Sequence, residues 1–466
     1  MPEEVSRPQP GESSQPQPGE SSRSQPGESS QPQPGESSQP QPGEISQPQP
    51  DEIPRSQLLA SVQAAFRSLP ERYLGAEPGF DSTVHLRLGD VGHAWEVRCG
   101  ETTARVRRGV TRRKPDVIIS TDARTWLRLR AGELSGLEAF RQRLLWVRGN
   151  LDHAVGFEGL FRLPGDRPPL LRIYDVSVGR HRVSTLTMGK GPDVLLIHGL
   201  GGTRASLFET AADLSPRYRV HAIDLPGFGS SSKPATGAYN ANWFAGIVLG
   251  LLDELGIARA HIVGNSMGGR VAIEVGLQAP ERVGGLGLLC PGVAFVRRGL
   301  HPLVRILRPE FGMLPHTFHR SLIASQFWAM FHDRDRIDPD LGSLMVEEFR
   351  RIYSSPGARY AFLSSARNIY LEAPFGRGGF YPRLAGLEPP ALFVWGSHDP
   401  LIPAAFGRHV REWLPGAEQV VMDCGHVPQV ERSEECNRLL LDFFARPDVA
   451  ARAALAAAGD RQSRAA

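Results

Sequence analysis

The chain has 466 residues, room for two or three domains, with 53 basic and 50 acidic side chains and a net charge of +3. This balance gives no electrostatic reason to expect a nucleic-acid partner. The sequence has no run of about 18 apolar residues and no secretory signal at its start, so we expect no transmembrane segment and a cytoplasmic location. The four cysteines lack metal-ligand spacing, and we expect no cofactor.

Residues 1–55 are dominated by an octapeptide, Ser-Arg-Pro-Gln-Pro-Gly-Glu-Ser in its first copy, that is repeated six times between residues 6 and 53. Almost no apolar side chain occurs before Ile45. Such a segment cannot offset its ordering entropy by burial, so we predict a disordered tail that folding and turnover do not require. A ligand for a proline-recognition module is the alternative interpretation.

Residues 56–165 have the pattern of a small α+β domain. Apolar residues at helical spacing predict a first helix at 58–69, and residues 151–161 predict a last one. Ser135-Gly-Leu-Glu138 has the spacing of a capping box that opens a short helix. Strands of a mostly antiparallel sheet are predicted at 83–88, 93–98, 103–107, 116–121 and 145–148.

The second half of this domain contains a strand, a helix with an x-x-G-x-L exit, an Ala-Phe pair and a strand that ends in Gly-Asn. These motifs occupy residues 115–126, 129–134, 139–140 and 145–150. Their order resembles a sterol-carrier-protein domain, and the resemblance implies an apolar tunnel and a lipid partner. Basic clusters at 105–108 and 112–114 are either a solvated face or a surface that attracts anionic head groups.

After a linker at 163–169, residues 170–446 alternate between strand and helix patterns, and residues 447–466 form an Ala/Arg-rich tail. One predicted helix covers 243–255. Strands are predicted at 193–198, 218–223, 260–263, 283–289, 391–395 and 419–422. Such alternation predicts a mostly parallel sheet with helices on both faces, an α/β domain.

The stretch 260–270 carries a G-x-S-x-G motif, Gly264-Asn-Ser-Met-Gly268, between a predicted strand and a predicted helix. Glycines flank the serine because side chains at this sharp corner would clash with the strand and the helix. The motif predicts Ser266 as a nucleophile and the Met267 N–H, at a helix N-terminus, as an oxyanion donor. A plain Gly/Ser turn is the alternative.

Four further motifs accompany this corner in the chain. They are His198-Gly-Leu-Gly-Gly202, Asp224-Leu-Pro-Gly-Phe-Gly-Ser-Ser231, Trp395-Gly-Ser-His-Asp-Pro400 and Gly425-His-Val-Pro428. Together with the G-x-S-x-G motif they resemble the α/β-hydrolase family in both type and order. The resemblance implies a serine hydrolase fold for this second domain.

A serine hydroxyl needs a base within hydrogen-bond reach, and the base needs an orienting carboxylate. Asp399 and His426 each follow a predicted strand, so both should lie at the same sheet edge as Ser266. The order Ser266, Asp399, His426 is the one expected for this fold. The preceding strand ends at Cys290 without a carboxylate, which favours Asp399 as the acid.

Three other residues compete for these roles. Asp423 is the nearest rival acid, His398 adjoins Asp399 and is expected to point away from it, and His198 is expected to shape the glycine-rich loop. The backbone N–H of Leu200, in that loop, is the predicted second oxyanion donor, because neighbouring glycines let the backbone approach a substrate oxygen.

Between residues 293 and 382 the strand-helix alternation stops, and several helices with many aromatic residues are predicted. In the family that the domain resembles, an insertion at this place is similar to a helical cap over the active site. Such aromatic residues pack on each other more often than on a ligand, but a cap of this composition still predicts a largely apolar pocket.

The sequence therefore predicts a serine hydrolase that cleaves a carboxylic ester or thioester. Its expected substrate is a small molecule with an apolar acyl part. One alternative is C–C bond hydrolysis of the meta-cleavage-product type, which Gly201-Gly202 disfavours because the usual proline of that loop is missing. Another is a lipid-binding carrier whose second domain is only a scaffold. We also expect the first domain either to deliver lipid to the second or to be a packed structural appendage.

Overall fold

A computed structural model describes residues 54–295, 308–314 and 319–453, with Ile352 described by its backbone alone. Two β-sheets organise these residues. The predicted disordered tail at 1–53 and residues 454–466 of the predicted C-terminal tail lie outside these residues. Residues 447–453 of that C-terminal tail are helical. No helix in the described ranges is long and apolar enough to cross a membrane.

The first domain is built on a five-stranded sheet in the order β3-β2-β1-β4-β5. Its strands are β1 (Ser82–Leu88), β2 (His93–Cys99), β3 (Ala104–Arg108), β4 (Val117–Thr121) and β5 (Leu145–Gly149). All neighbours are antiparallel except β1 and β4. Its helices are α1 (Arg55–Arg67), α2 (Ala123–Ala131), α3 (Gly136–Arg141) and α4 (Leu151–Gly156). The predicted α+β class is confirmed.

Local signals in this domain are partly correct. The Ser135 hydroxyl accepts a hydrogen bond from the Glu138 N–H at 3.2 Å, as a helix cap should. The predicted helix over 151–161, however, ends at Gly156 and continues as a 3₁₀ turn, Phe157–Leu160. A Cβ at Gly159 would lie 2.7 Å from the Leu171 carbonyl oxygen, so this segment follows the close approach of the next strand rather than helical periodicity.

The second domain is built on an eight-stranded sheet in the order β13-β12-β11-β10-β8-β9-β7-β6. Its strands are β6 (Leu171–Val178), β7 (His181–Met188), β8 (Asp193–Ile197), β9 (Arg219–Ile223), β10 (Ala260–Asn265), β11 (Val283–Leu289), β12 (Ala391–Gly396) and β13 (Glu418–Met422). Strands β8 to β13 pair in parallel, and β6 and β7 add an antiparallel hairpin at one edge. Neither strand of this hairpin is among the strands predicted from sequence, and the burial pattern of β6 is irregular because it lies at the edge of the sheet.

Helices cover both faces of this sheet. They are α5 (Phe208–Leu214), α6 (Ala241–Glu254), α7 (Met267–Gln278), α12 (Gly407–Trp413), α13 (Pro428–Glu431) and α14 (Ser433–Ala445). The predicted cap lies between β11 and β12, and its described helices are α8 (Arg320–Trp328), α9 (Pro339–Ser354), α10 (Pro356–Leu371) and α11 (Phe380–Leu384). The predicted fold with its helical cap is confirmed, although residues 296–307 and 315–318 of the cap lie outside the described part.

Candidate active site

Ser266 occupies the corner between β10 and α7 with a φ of 54° and a ψ of −115°. A non-glycine residue rarely adopts a positive φ, and the surrounding structure must hold it there. A Cβ at Gly264 would overlap the Gly268 backbone, and one at Gly268 would overlap the Ile197 carbonyl. The steric reason for glycine on both sides of the serine therefore applies in this structure.

Asp399 and His426 contact each other at the carboxyl ends of β12 and β13. The Oδ2 atom of Asp399 lies 2.6 Å from Nδ1 of His426, and both side chains are buried. The other carboxylate oxygen accepts hydrogen bonds from the N–H groups of Leu401 and Ile402 at 2.7 and 2.9 Å. Because its own turn fixes the carboxylate, Asp399 can orient the imidazole as the acid of a triad does.

Ser266 and His426 line the same pocket. Within the described residues no hydrogen bond joins the Ser266 hydroxyl to the imidazole. Catalytic hydrogen bonds are often long without substrate and shorten in the complex. The placement of these two groups around one pocket is therefore compatible with the roles predicted from sequence.

Two of the three rival residues, Asp423 and His398, pair with each other at exposed positions. Asp423 is exposed and pairs with Arg432 at 2.9 Å and with His398 at 3.2 Å. His398 also stacks on His332 with ring centroids 3.5 Å apart, so it points away from Asp399.

His198 is fully buried, and its two ring nitrogens lie 2.7 Å from the Gly199 carbonyl oxygen and 3.0 Å from the Leu225 N–H. Burial lowers its pKa, which favours the neutral ring that donates from Nδ1 and accepts at Nε2. His198 thus shapes the glycine-rich loop, as expected.

The predicted oxyanion donors belong to two segments that adjoin Ser266. Met267 is the first residue of α7, and Leu200 lies in the turn after β8 and lines the pocket. A Cβ at Gly199 would lie 3.3 Å from Cβ of Ser266, so the glycine-rich turn abuts the serine closely. Gly201 adopts a φ of 71°, and a Cβ there would lie 2.5 Å from the Tyr353 hydroxyl oxygen of the cap. Two N–H groups that converge on one oxygen stabilise a developing oxyanion, and Leu200 and Met267 stay the predicted donors.

Two side chains for which the sequence indicates no role hold the His426 loop. Asn265 donates from its side-chain amide to the carbonyls of Leu289 and His426, at 3.1 and 3.2 Å. The buried Glu431 carboxylate accepts hydrogen bonds from the N–H groups of Gly425, His332 and Asp333. Glu431 therefore connects the histidine loop to the cap, and no local sequence pattern indicates these partners.

Cys290 lies where the alternative acid would stand. Its Sγ and donor atoms of Asp399 and His426 all lie within 4.8 Å of one another. Burial raises the pKa of this thiol well above its usual value, so it is a neutral neighbour of the carboxylate. Three donors at this distance could surround a metal ion, but Asp399 and His426 already use theirs on each other.

The pocket over Ser266, which we call the Ser266 pocket, has a volume of about 620 Å³. Most of its described lining is apolar and comes from the cap, including Phe327, Phe331, Phe349 and Phe362. Arg359 is the one arginine among these lining residues, and its guanidinium donates to the carbonyls of Gly312, Leu314, Tyr353 and Ser354. The pocket therefore suits an apolar group beside the reactive serine.

Comparison with known families agrees with the fold and the site. Residues 192–433 match the family model described as alpha/beta hydrolase fold, and residues 76–162 match the SCP-2 sterol transfer family. Since the first match covers more than half of the chain, the protein belongs to the α/β-hydrolase family. Its first domain is the sterol-carrier-like domain expected from sequence.

Two curated relatives illustrate the similarity. The chain is 29% identical over 282 residues to a 2-hydroxymuconate semialdehyde hydrolase of Pseudomonas putida, which covers 59% of this chain and 94% of the relative. It is 30% identical over 272 residues to a 2-hydroxy-6-oxononadienedioate/2-hydroxy-6-oxononatrienedioate hydrolase of Escherichia coli K12, with 56% and 89% covered. Both relatives are hydrolases, so the chain is similar to enzymes.

Solved structures give the same result. A bacterial membrane phospholipase A has 28% identity and a TM-score of 0.50, covering 59% of this chain and 86% of its own. The enol-lactonase of Burkholderia xenovorans LB400 has 23% identity and a TM-score of 0.51, covering 59% and 100%. The second likeness supports the fold alone.

Proposed function

We propose that the protein hydrolyses carboxylic esters or thioesters with an apolar acyl part, using Ser266, His426 and Asp399 as a triad. The observation that carries this proposal is the apolar Ser266 pocket, which is lined both by a serine with a positive φ and by a histidine bound to a carboxylate. The similarity to a phospholipase A, whose name denotes an ester hydrolase, supports the substrate class.

The proposed reaction has two halves. His426 takes the proton of the Ser266 hydroxyl as Oγ bonds to the carbonyl carbon, and the N–H groups of Leu200 and Met267 stabilise the oxyanion. The tetrahedral intermediate then expels the alcohol or thiol, which takes the proton from His426 and leaves an acyl-serine. Water attacks this ester with His426 again as base, releasing the acid and restoring the serine.

C–C bond hydrolysis is the second candidate, because the curated relatives named above act on semialdehyde and dioate compounds. A substrate of the dioate type carries carboxylates, which call for a cation with free donors. Arg359, the arginine among the described lining residues, has its guanidinium on backbone carbonyls. This pairing favours a neutral apolar substrate over an anionic one.

A direct comparison of substrates tests the choice. We expect kcat/KM for p-nitrophenyl butyrate to exceed that for 2-hydroxy-6-oxo-6-phenylhexa-2,4-dienoate by about tenfold or more, since an unpaired carboxylate in this pocket would lose its hydration without compensation. Ser266→Ala serves as the background for both assays. Faster turnover of the dienoate would contradict the ester proposal and support C–C hydrolysis.

A further inference from the structure

A second cavity lies between the sterol-carrier-like domain and the hydrolase domain; we call it the interdomain cavity. It has a volume of about 80 Å³. The first domain contributes mainly apolar side chains, among them Trp126, Leu137 and Phe157, and the second domain contributes Phe208 and Leu341. Charged residues among the lining are Arg130, Arg141, Glu158 and Glu209. Neither domain alone would enclose this space.

The interdomain cavity and the Ser266 pocket share three wall residues, Ser206, Met345 and Val430. These three residues therefore lie in a wall that the two spaces have in common. Methionine is unbranched and has three rotatable bonds, so its side chain can change rotamer without a backbone movement. Met345 is therefore suited to open a passage between the two spaces.

One face of α9 runs along both spaces. Leu341 lines the interdomain cavity, Met345 lines both, and Phe349 and Tyr353 line the Ser266 pocket. These residues recur at intervals of four, so they form an apolar stripe on one side of the helix. The stripe spans about 18 Å at the helical rise of 1.5 Å per residue. This length matches a long acyl chain rather than a butyryl group.

The apolar contacts continue across the domain boundary. One buried cluster contains Leu151 of the first domain, Ala205 of the 3₁₀ turn that follows β8, and Phe327 and Met345 of the cap. The described residues also belong to a single compact unit. A chain that leaves the Ser266 pocket past Met345 would therefore stay among apolar side chains.

We infer that the acyl chain of the substrate extends from Ser266 past Met345 into the interdomain cavity, so that the sterol-carrier-like domain forms the distal half of the acyl-binding site. This inference rests on the proposed function, because it requires an acyl group on Ser266. The ligand class is a long-chain fatty acyl ester or thioester, and the first domain acts by holding the bound chain rather than by releasing it to the enzyme.

The direct test uses the full chain and a sixteen-carbon alkyl fluorophosphonate with a diazirine at the end of the alkyl group. Oγ of Ser266 bonds to phosphorus and fluoride leaves, which fixes one end of the probe. After irradiation, mass spectrometry locates the crosslink. We expect it within residues 119–158, whereas a four-carbon analogue should crosslink within the Ser266 pocket.

The outcomes separate the two proposals. Labelling of Ser266 with crosslinks confined to cap residues 322–331 and 349–363, whose lining residues face the Ser266 pocket alone, or with no protein crosslink, would overturn the inference and leave the proposed function standing. Absence of a Ser266 adduct would overturn the proposed function itself.

A variant gives an independent readout. Ala154 lines the interdomain cavity but not the Ser266 pocket, and Ala64 is exposed on α1. Ala154→Phe should lower the ratio of kcat/KM for p-nitrophenyl palmitate to that for butyrate by about tenfold or more, since a filled cavity rejects the longer chain. Ala64→Phe should leave both rates unchanged. An unaltered ratio in a folded Ala154→Phe protein would contradict the inference.

Discussion

Asp152 of the sterol-carrier-like domain and Arg204 of the hydrolase domain form a largely buried ion pair, with Oδ1 of the carboxylate 3.0 Å from Nη2 of the guanidinium. Arg204 also binds Asp224, at 2.7 Å, and the other oxygen of Asp152 accepts from Ser230 and from Arg351 of the cap. Burial alone would raise the pKa of Asp152, but the two arginines hold it below its usual value. One carboxylate of the first domain thus binds two loops of the hydrolase domain and the cap.

Replacing this carboxylate should weaken the whole assembly. We expect Asp152→Asn to lower the free energy of unfolding by about 3 kcal/mol, because a buried pair loses one charge while Arg204 keeps Asp224. Chemical denaturation at neutral pH measures this. The control is Asp81→Asn, whose pair with Arg113 is exposed and should contribute less than about 1 kcal/mol. Equal effects of both variants would show that the buried pair has no special role.

The stability of the protein should depend on pH through Glu158, which lines the interdomain cavity. Burial raises the pKa of this carboxyl from 4.5 to about 7. A raised pKa in the folded state means that folding favours the protonated form of Glu158. The contribution of this carboxyl to the free energy of unfolding is therefore fully present below pH 4.5 and is lost as the pH rises through about 7. We therefore expect Glu158→Gln to be more stable than wild type at pH 8.

The measurement is the difference in free energy of unfolding between wild type and variant from pH 4 to 8. That difference should grow between pH 4.5 and 7 and then level off. Glu133→Gln, at an exposed position, should give a constant difference. A constant difference for Glu158→Gln as well would refute the assignment of a raised pKa.

Glu431 should act as a positioning residue for His426. A glutamine there would place an amide N–H₂ against at least one of the three backbone N–H groups that the carboxylate now binds. Loss of such hydrogen bonds costs about 2 kcal/mol, so we expect kcat to fall roughly 30-fold in Glu431→Gln. The exposed Glu434→Gln should retain full activity. If the rate loss merely follows the unfolded fraction, measured by circular dichroism in the same samples, the positioning role is wrong.

The corner at Ser266 should tolerate no side chain at Gly268. A Cβ there would overlap the backbone carbonyl of Ile197, so Gly268→Ala must displace β8 or α7. We expect a loss of several kcal/mol in stability, or a folded protein whose serine no longer reacts. Gly246→Ala is the matched control, because its Cβ would meet no atom within 4 Å in the exposed interior of α6. That change should stabilise the protein by about 0.5–1 kcal/mol.

Sequence alone predicted the elements whose signals are local. Apolar runs in the sequence predict the parallel strands, and one of them, Val283–Leu289, is buried throughout. Ser266, Asp399 and His426 could be assigned to one site from the sequence, because each follows a predicted strand and the carboxyl ends of parallel strands share one sheet edge. The helix cap at Ser135 could be predicted because its partner, Glu138, lies only three positions along the chain.

Features that depend on distant contacts could not be predicted. Glu431 holds the backbone at Gly425 and at His332, which come together only when the cap closes on the sheet. Strand β6 has an irregular burial pattern because it lies at the edge and packs on the first domain. The shared wall at Met345 likewise requires two domains and a cap in contact, and no spacing in the sequence encodes it.

The central claim is that Ser266 is the nucleophile of a hydrolase, and covalent labelling tests it most directly. Wild type and Ser266→Ala are treated with a fluorophosphonate, digested, and examined by mass spectrometry for a phosphonyl adduct. We expect one adduct in the wild type, on the peptide that contains Ser266, and none in the variant, together with a fall in ester turnover of roughly 10³-fold or more. Equal labelling of both proteins, or undiminished turnover by Ser266→Ala, would contradict it.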